Sequence, residues 1–599
     1  MTTEQHALPP LSPAPPTPAP DVLIAGAGPA GLVLALSLLK HGLSVRLIDK
    51  DPTHHVGQRG AGVMPRSLEL YNTLGVLPDI LAASHPPLPM QAFTMPGGRE
   101  PLRQWEMSPR EHPTPGTPWP NAVMIGQDKT EAILRAHLAQ LGCRVELNTR
   151  LASFAQDDDA VRATLAKTGA DGTHTEEVVR VPWLVGADGA RSTVRKALNL
   201  SFLGETRQER YAIADVHVQG LDMHHIHVFG GGPPGTILIW PSERKDGDLM
   251  TVYVAGPDAD YERLASSPDF FRDHVKAKLG RDDVSLGAVT WLTDYRPNVR
   301  MVDTFQSGRV FLVGDAAHAH SLMGGQGLNT SIQDASNLGW KLALVARRAA
   351  PRALLASYTS ERLPVVAAVL DLTSALQDKL SSAKGEDAGA WKRGDGLGQL
   401  GVNYRWSPWV FDERLPEGAE EEEGAEGDDK GKGERNPYGR AGDEGAQMLR
   451  AGDRAPDAPA LVPASGADTA PTRLFDLLSP TAHTVLLFLA GSTDARAEAV
   501  RKHRVLARPG VAVAVYEILP PSPSPSPLPF LLLPFLPFLP LLVGHAYANY
   551  GVDKDAFGAV VVRPDGYVGA VATSVAGLQR YFDKLIEVPE GYTGFTVSD

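Results

Sequence analysis

The stretch Arg309-Val310-Phe311-Leu312-Val313-Gly314-Asp315-Ala316-Ala317-His318-Ala319-His320-Ser321-Leu322-Met323-Gly324-Gly325-Gln326-Gly327-Leu328-Asn329 decides how the chain is read. It opens on an apolar run of strand length, closed by Gly314-Asp315. A glycine-rich turn follows, and a helix is expected to open near Gly327 with Asn329 in its first turn. Asp315 then stands at a strand end, where its carboxylate can accept hydrogen bonds from hydroxyls. The helix N-terminus beside it offers unpaired N–H groups and the positive end of the helix dipole to a developing anion.

Two further stretches repeat this strand–turn–helix design upstream. Val22-Leu23-Ile24-Ala25 reads as a buried strand, followed by Gly26-Ala27-Gly28-Pro29-Ala30-Gly31, an apolar helix to about Lys40, and a second strand, Val45-Arg46-Leu47-Ile48-Asp49. Gly26 permits a tight turn, Gly28 lets the backbone approach a pyrophosphate, and Gly31 lets helix and strand pack closely. Asp49, roughly 20 residues on, is placed to hold ribose hydroxyls. A membrane span over the same apolar residues is excluded by the embedded glycines and Pro29. The third stretch, Val181-Pro182-Trp183-Leu184-Val185-Gly186-Ala187-Asp188-Gly189-Ala190-Arg191-Ser192, ends a strand in Asp-Gly and opens a short helix.

In this order the three stretches resemble the fingerprints of the single-component FAD-dependent aromatic-ring hydroxylases, the flavin monooxygenases related to para-hydroxybenzoate and phenol hydroxylase. The resemblance implies an α/β fold: a Rossmann-type FAD-binding domain with an inserted antiparallel substrate sheet. It implies that Asp315, with Gly314 before it, binds the flavin's ribityl hydroxyls, and that the turn bearing Gly325, Gly327, Leu328 and Asn329 sits at the pyrimidine edge of the flavin. Ala30 joins Gly26, Gly28, Gly31 and Asp49 around the rest of FAD, and Asp188 lies near the pyrophosphate. Arg59 would reach the phosphates and Gln127 the flavin, although each alone would read as a solvated loop arginine and a first helical residue. The implied reaction is NAD(P)H reduction of FAD, addition of O2 to give a C4a-hydroperoxide, and oxygen transfer to a phenolic ring. The pyridine nucleotide, NADPH or NADH, is a transient co-substrate, which fits the lack of a second Rossmann fingerprint. One departure is Leu322, where the family usually has proline before the Gly-Gly pair.

At 599 residues the chain should hold two to four domains. Residues 1–20 form a proline-rich arm expected to be disordered, with no secretory pattern. Residues 21–210 and 295–385 are assigned to the FAD domain, and 211–294, with alternating apolar stretches, to the substrate sheet. Residues 412–438 are a Gly- and Glu-rich linker. Residues 439–599 resemble the thioredoxin-like C-terminal domain of phenol hydroxylase-type members, without a CxxC pair, so a dimer-stabilising role in a homodimer is expected and a redox one is excluded. Within it, residues 520–542 are only Pro, Ser, Leu and Phe. Pro529, Pro534, Pro537 and Pro540 oppose both helix and strand, so residues 520–543 are read as an inserted loop, translated from a pyrimidine-rich tract or touching a membrane.

The net charge of −13, with no basic stripe, argues against nucleic acid as a partner, and no membrane partner is assigned. The single Cys143 excludes an internal disulfide and fits a reducing, cytoplasmic setting. No metal site is assigned. Hydroxylation of a phenol is helped by removing its proton, so a base is expected. Asp215, Tyr211, His225 and His227 on the inserted sheet are the candidates, although a His or Tyr there is more often a packing or surface residue. A halogenase is disfavoured by the lack of a WxWxIP motif. A flavin dehydrogenase or reductase, or a catalytically impaired homologue, is the alternative.

Overall fold

The computed structural model describes residues 19–169, 171–230, 235–242, 247–321, 324–382, 395–416, 436–439, 448–463, 471–488, 511–519, 539–542, 545–553 and 557–585. The expectations for the arm (residues 1–18), for Leu322, for most of the acidic run (417–435) and for most of the Pro/Leu tract (520–538) fall outside those residues.

The centre is a six-stranded sheet in the order Gln306–Ser307, Val310–Leu312, Trp183–Gly186, Val22–Ala25, Val45–Ile48, Val145–Glu146. All pairings but the first are parallel. Its inner strands are buried on both faces, which explains their unbroken apolar runs. The helix Pro29–Lys40 crosses between the two strands of the first fingerprint, and the helix Gln326–Ala346 packs against it. The two approach closely: a Cβ on Gly339 would stand 2.4 Å from Ser37 Oγ.

The second sheet runs Ser285–Tyr295, Tyr211–Gln219, Leu249–Ala255, Thr236–Pro241, Ile226–Gly230, Met90–Phe93, Arg103–Trp105. It therefore extends beyond the expected residues 211–294, taking two strands from the stretch assigned to the FAD domain. Met90–Phe93 pairs parallel with Ile226–Gly230, in register Ile226 to Met90. Such short strands, flanked by prolines, carry almost no periodicity of their own. One face of this sheet is covered by the helices Tyr261–Ser266 and Pro268–Leu279 over a core of Ala212, Ala214, Val216, Val252 and Phe271. The other face looks toward the FAD-fingerprint turns.

The third large sheet runs Phe411–Asp412, Val568–Ala572, Gly558–Val562, Ala482–Phe488, Ala512–Leu519, Leu539–Leu542, Val462–Pro463. Two expectations are corrected here. Asp412, assigned to the linker, is an edge-strand residue whose carboxylate holds Arg414 and accepts from Ala451 N at 3.2 Å. A two-residue strand leaves no sequence signal. Residues 539–542, assigned to a loop, form a strand parallel to Ala512–Leu519. Pro540 lies opposite Glu517 but outside the two-residue pairing with Val462–Pro463, so that edge asks no donor of it.

The tip of the hairpin between Gly558–Val562 and Val568–Ala572 plugs into the first unit. Arg563 pairs with Glu361 (2.9 Å) and Asp565, Lys341 with Glu361 (2.7 Å), and Trp340 Nε1 donates to Asp565 Oδ2 (3.1 Å). All five side chains are buried. Arg66 is also buried there. It donates to Asp565 O at 2.6 Å and lies over the Tyr567 ring. Nearby, Arg454 of the C-terminal unit pairs with Glu69.

Candidate active site

A cleft of about 2040 Å3 lies between the first sheet's turns and the open face of the second sheet. That volume exceeds what one small ligand requires. Its floor begins at the strand Val22–Ala25. Gly26 has φ +108°, and a Cβ there would stand 2.2 Å from Ala187 O, while one on Gly31 would stand 2.1 Å from Gly26 O. Both glycines are thus required by close backbone packing. Gly28 differs: a Cβ there would meet nothing within 4 Å, because the position faces the cleft. The helix Pro29–Lys40 starts behind it with Pro29 at its first position, no capping side chain and no acid in its first turn. Its N–H groups are left for an anion.

Asp49 closes the next strand and lines the cleft. Its Oδ2 accepts from Ala27 N (2.8 Å) and its Oδ1 from Asp51 N (3.0 Å), which ties the acid to the glycine turn. Asp188 lines the same wall. It accepts from Ser192 Oγ (2.5 Å) and Thr193 N (2.6 Å), and burial raises its carboxyl above the ordinary range against those bonds. Arg59, at φ +41°, is exposed to the cleft with its guanidinium 5.9 Å from the Trp291 ring centre. Gln127 opens the helix Gln127–Gln140, its Nε2 donating to Glu131 Oε1 at 2.9 Å. Ala30 lines the cleft beside Gly28.

Opposite this turn, the helix Gln326–Ala346 begins with Gly325 in the left-handed region, again with no capping side chain and no acid in its first turn. Gly325, Gly327 and Leu328 line the cleft. Asp315 sits in the short 3-10 turn Gly314–Ala316, whose first residue has φ +59°. Its carboxylate faces the cleft and has no hydrogen-bond partner among the described residues. Enclosure by protein raises that carboxyl, with His318 opposing and Asp334 adding.

Asn329 does not line the cleft, contrary to its expected place beside the flavin. Its Oδ1 accepts from Met64 N (2.8 Å), and its Nδ2 donates to Gly62 O (2.9 Å) and Gly325 O (2.8 Å). It is fully buried and holds the Gly62–Val63 strand against the helix start. A buried amide is more stable when its polar atoms are paired, and here the backbone pairs them.

The second sheet supplies an aromatic wall that includes Tyr211, Trp240, Tyr253, Trp291 and Tyr295. Of the expected base candidates, only Tyr211 faces the cleft. Burial pushes its phenol up to about 12. Asp215 lies on the same strand face, but the Gln58 loop covers it. Its Oδ2 accepts from Gln58 N (2.9 Å) and its Oδ1 from Thr251 Oγ1 (2.6 Å), so it straps the loop to the sheet. His225 and His227 point away because strand side chains alternate and Ile226 takes the cleft side. His227 is buried beside Phe93 with Nε2 2.8 Å from Asp222 O, and His225 pairs with Asp222.

Gln377 of the long helix Ala356–Ser382 was not anticipated. It lines the cleft, is buried, and neither amide atom has a partner among the described residues. A glutamine in a helix otherwise read as core gives no sequence signal. His320, visible in the glycine-rich stretch but given no role, also lines the cleft.

The residues present fit FAD. Gly28 is open to a ligand, two uncapped helix starts face the same space, and the Asp315 carboxylate lines it with no partner among the described residues. Residues 19–373 match the FAD binding domain family, and residues 542–590 match the phenol hydroxylase C-terminal dimerisation domain. A flavin-dependent monooxygenase of Mycobacteroides abscessus is 34% identical over 573 residues, covering 94% of this chain and 100% of its own. Pentachlorophenol 4-monooxygenase of Sphingobium chlorophenolicum is 30% identical over 81% of this chain and 83% of its own. Among solved structures, the ternary complex of aklavinone-11 hydroxylase with FAD and aklavinone superposes with a TM-score of 0.71 at 25% identity, covering 95% of this chain and 99% of that one. The paired helix starts, the open glycine and the aromatic wall are thus found in a chain that belongs to the flavin-dependent aromatic monooxygenase family and carries its phenol hydroxylase-type dimerisation domain.

Proposed function

We propose that the protein hydroxylates a phenolic aromatic compound with NAD(P)H and O2, and that it works as a homodimer. The observation that carries this reading is the two-walled cleft, with phosphate- and flavin-facing groups on one wall and aromatic rings on the other. FAD, when bound, supplies reduction by NAD(P)H and the activation of O2 that puts one oxygen atom on the ring. The chain's own residues bind, orient and exclude water. The helix start behind Gly28 takes the pyrophosphate, and Asp49 takes the ribose hydroxyls. Asp315 would accept from the ribityl hydroxyls, having no competing partner among the described residues. The start of the helix Gln326–Ala346 steadies negative charge on the reduced ring edge.

The aromatic wall supports a flat substrate, stacked between rings and held out of water. The names of the relatives span a single-ring phenol and aklavinone, and a cleft of about 2040 Å3 admits either beside FAD. The match at residues 542–590 supports dimer formation. No cysteine lies in residues 439–599, so that unit brings no thiol chemistry.

The test is NAD(P)H oxidation and O2 uptake by the FAD-loaded protein, with and without a panel of phenols, while hydrogen peroxide is followed. One phenol should accelerate both with little peroxide. Oxidation without O2 consumption would identify a dehydrogenase or reductase instead. Peroxide equal to the O2 consumed, for every compound, would remove the hydroxylase reading.

A further inference from the structure

The wall opposite the fingerprint turns is one face of the second sheet, and the strand register fixes which side chains share it. Directly paired residues point to the same side of a sheet. Across six strands the partners run Thr293, Ile213, Tyr253, Leu238, Val228, Ala92. The first four line the cleft, and none of the six carries a charge. Two residues along one way, the pairs Tyr295 with Tyr211 and Ala255 with Thr236 are uncharged as well. Two residues along the other way, the partners are Trp291, Asp215, Thr251 and Trp240. Asp215 is the one acid among these positions, and it is withdrawn from the cleft. It is 2% exposed beneath the Gln58 loop, bonded to Gln58 N and Thr251 Oγ1. The tyrosines add no charge at neutral pH, because burial raises Tyr253 and Tyr295 and pushes Tyr211 up to about 12.

The lysine and arginines of the cleft stand elsewhere. Lys50 and Arg150 flank Asp49, whose carbonyl accepts from Thr149 N at 2.8 Å. Arg191 follows the Asp188 turn, and Arg110 is exposed on the chain between the strands Arg103–Trp105 and Val123–Met124. Arg59 meets the aromatic wall only at its Trp291 edge, 5.9 Å from the ring centre. A carboxylate laid on the middle row would therefore lose its water with no cation on that row to replace it, and with Asp215 on the neighbouring row. An uncharged ring loses little hydration there and gains contact with aromatic faces.

We propose that this face selects its substrate by charge: it takes an uncharged phenol and rejects phenols that carry a carboxylate on the part lying against the sheet. Thr293, Ile213, Tyr253 and Leu238 are the specificity-determining row. The proposal rests on the hydroxylase reading for the statement that the ligand of this wall is a phenol. It narrows that reading, since hydroxybenzoates and neutral phenols are equally open to the chemistry.

The experiment compares isosteric pairs by equilibrium dialysis at neutral pH against the FAD-loaded protein: 4-hydroxybenzamide with 4-hydroxybenzoate, and 6-hydroxy-2-naphthamide with 6-hydroxy-2-naphthoate. In each pair the amide should bind about a hundredfold more tightly. Thr293→Arg places a cation on the row. Thr293 is only partly buried and its one bond, to Asp294 O, is long at 3.4 Å, so the change asks little of the fold. This variant should bind the carboxylates about tenfold better than the wild type does, with the amides little affected. A carboxylate that binds the wild type as well as its amide overturns the proposal, and loss of that binding in Arg59→Gln would then name Arg59 as its anchor. Failure of both amides to bind overturns it too. Should Thr293→Arg not retain FAD, the wild-type pairs decide. If the amides are preferred but no phenol stimulates NAD(P)H oxidation, charge selection stands and the hydroxylase reading falls. If a carboxylate is hydroxylated as well as its amide, the hydroxylase reading stands and charge selection falls.

Discussion

The helix Gln326–Ala346 has a polar region at each end, and the two are built on opposite terms. At its C-terminal half, Asn337, Trp340 and Lys341 meet Glu361, Arg563 and Asp565 in a fully buried cluster. There, both Glu361 oxygens accept from Arg563, one also from Lys341 and Asn337, and the other from Ser407. Beside its N-terminal end, Nδ1 of His320 and both amide atoms of Gln377 are buried in cleft-lining residues with no partner among the described residues, and the carboxylate of the exposed Asp315 lines the same cleft. Buried polar groups are nearly always paired. The closed cluster satisfies that rule from within and holds two units together. The open one leaves it to be satisfied from outside, which marks where ligands belong.

The contrast breaks most visibly at Glu361. Glu361→Leu leaves Arg563 and Lys341 buried without their carboxylate and should cost about 3–5 kcal/mol in denaturant unfolding. The effect has a pH signature. Although burial opposes it, Arg563 and Lys341 hold the Glu361 carboxyl far below its ordinary value of 4.5. A depressed folded-state value means the stabilisation is fully present above pH 4.5 and is lost as pH falls toward that lower value. The gap between wild type and variant should therefore narrow in acid.

Asp315→Ala tests the other end. It should weaken FAD binding by about 1.5–3 kcal/mol, as flavin fluorescence would report, yet leave the unfolding of the flavin-free protein almost unchanged. A large loss of stability without flavin would mean that Asp315 has an internal role. Gln377→Leu should go further and stabilise the flavin-free protein by about 1 kcal/mol, since two buried amide atoms without partners are removed. Thermal unfolding checks this. The smallest effect is expected at Tyr211→Phe. Its hydroxyl, pushed up to about 12, stays protonated at working pH, so kcat should change by less than about tenfold.

The closed and open regions also differ in how well the sequence announces them. The cofactor-facing turns are written in glycines and apolar strands whose spacing is forced by backbone geometry. Gly26 and Gly31 could be read because a side chain there would collide with Ala187 O and Gly26 O. The parity of the inserted strands could not be assigned residue by residue, so His227 was a candidate although it faces the core, and Asp215 although a loop covers it. Asn329 sits in the motif, but its amide serves Met64 and Gly62, more than 260 positions away, which no local pattern reveals. The short strands Phe411–Asp412 and Leu539–Leu542 are too short for periodicity and depend on neighbours to form. Gln377 becomes notable only once both its amide atoms prove buried with no partner among the described residues.

The join between Arg563 and Glu361 spans 202 positions of the chain. On the ribosome, therefore, the segment bearing Glu361 and Lys341 emerges long before the hairpin that completes it. During that interval Lys341 and Asn337 can already hold Glu361, but the surface that Asp565 and Tyr567 will cover stays wet. Synthesis of the last quarter of the protein is thus the moment at which the two units lock. A message truncated before codon 563 would release a chain whose flavin turns are complete but whose seam is open, a natural substrate for quality-control proteases.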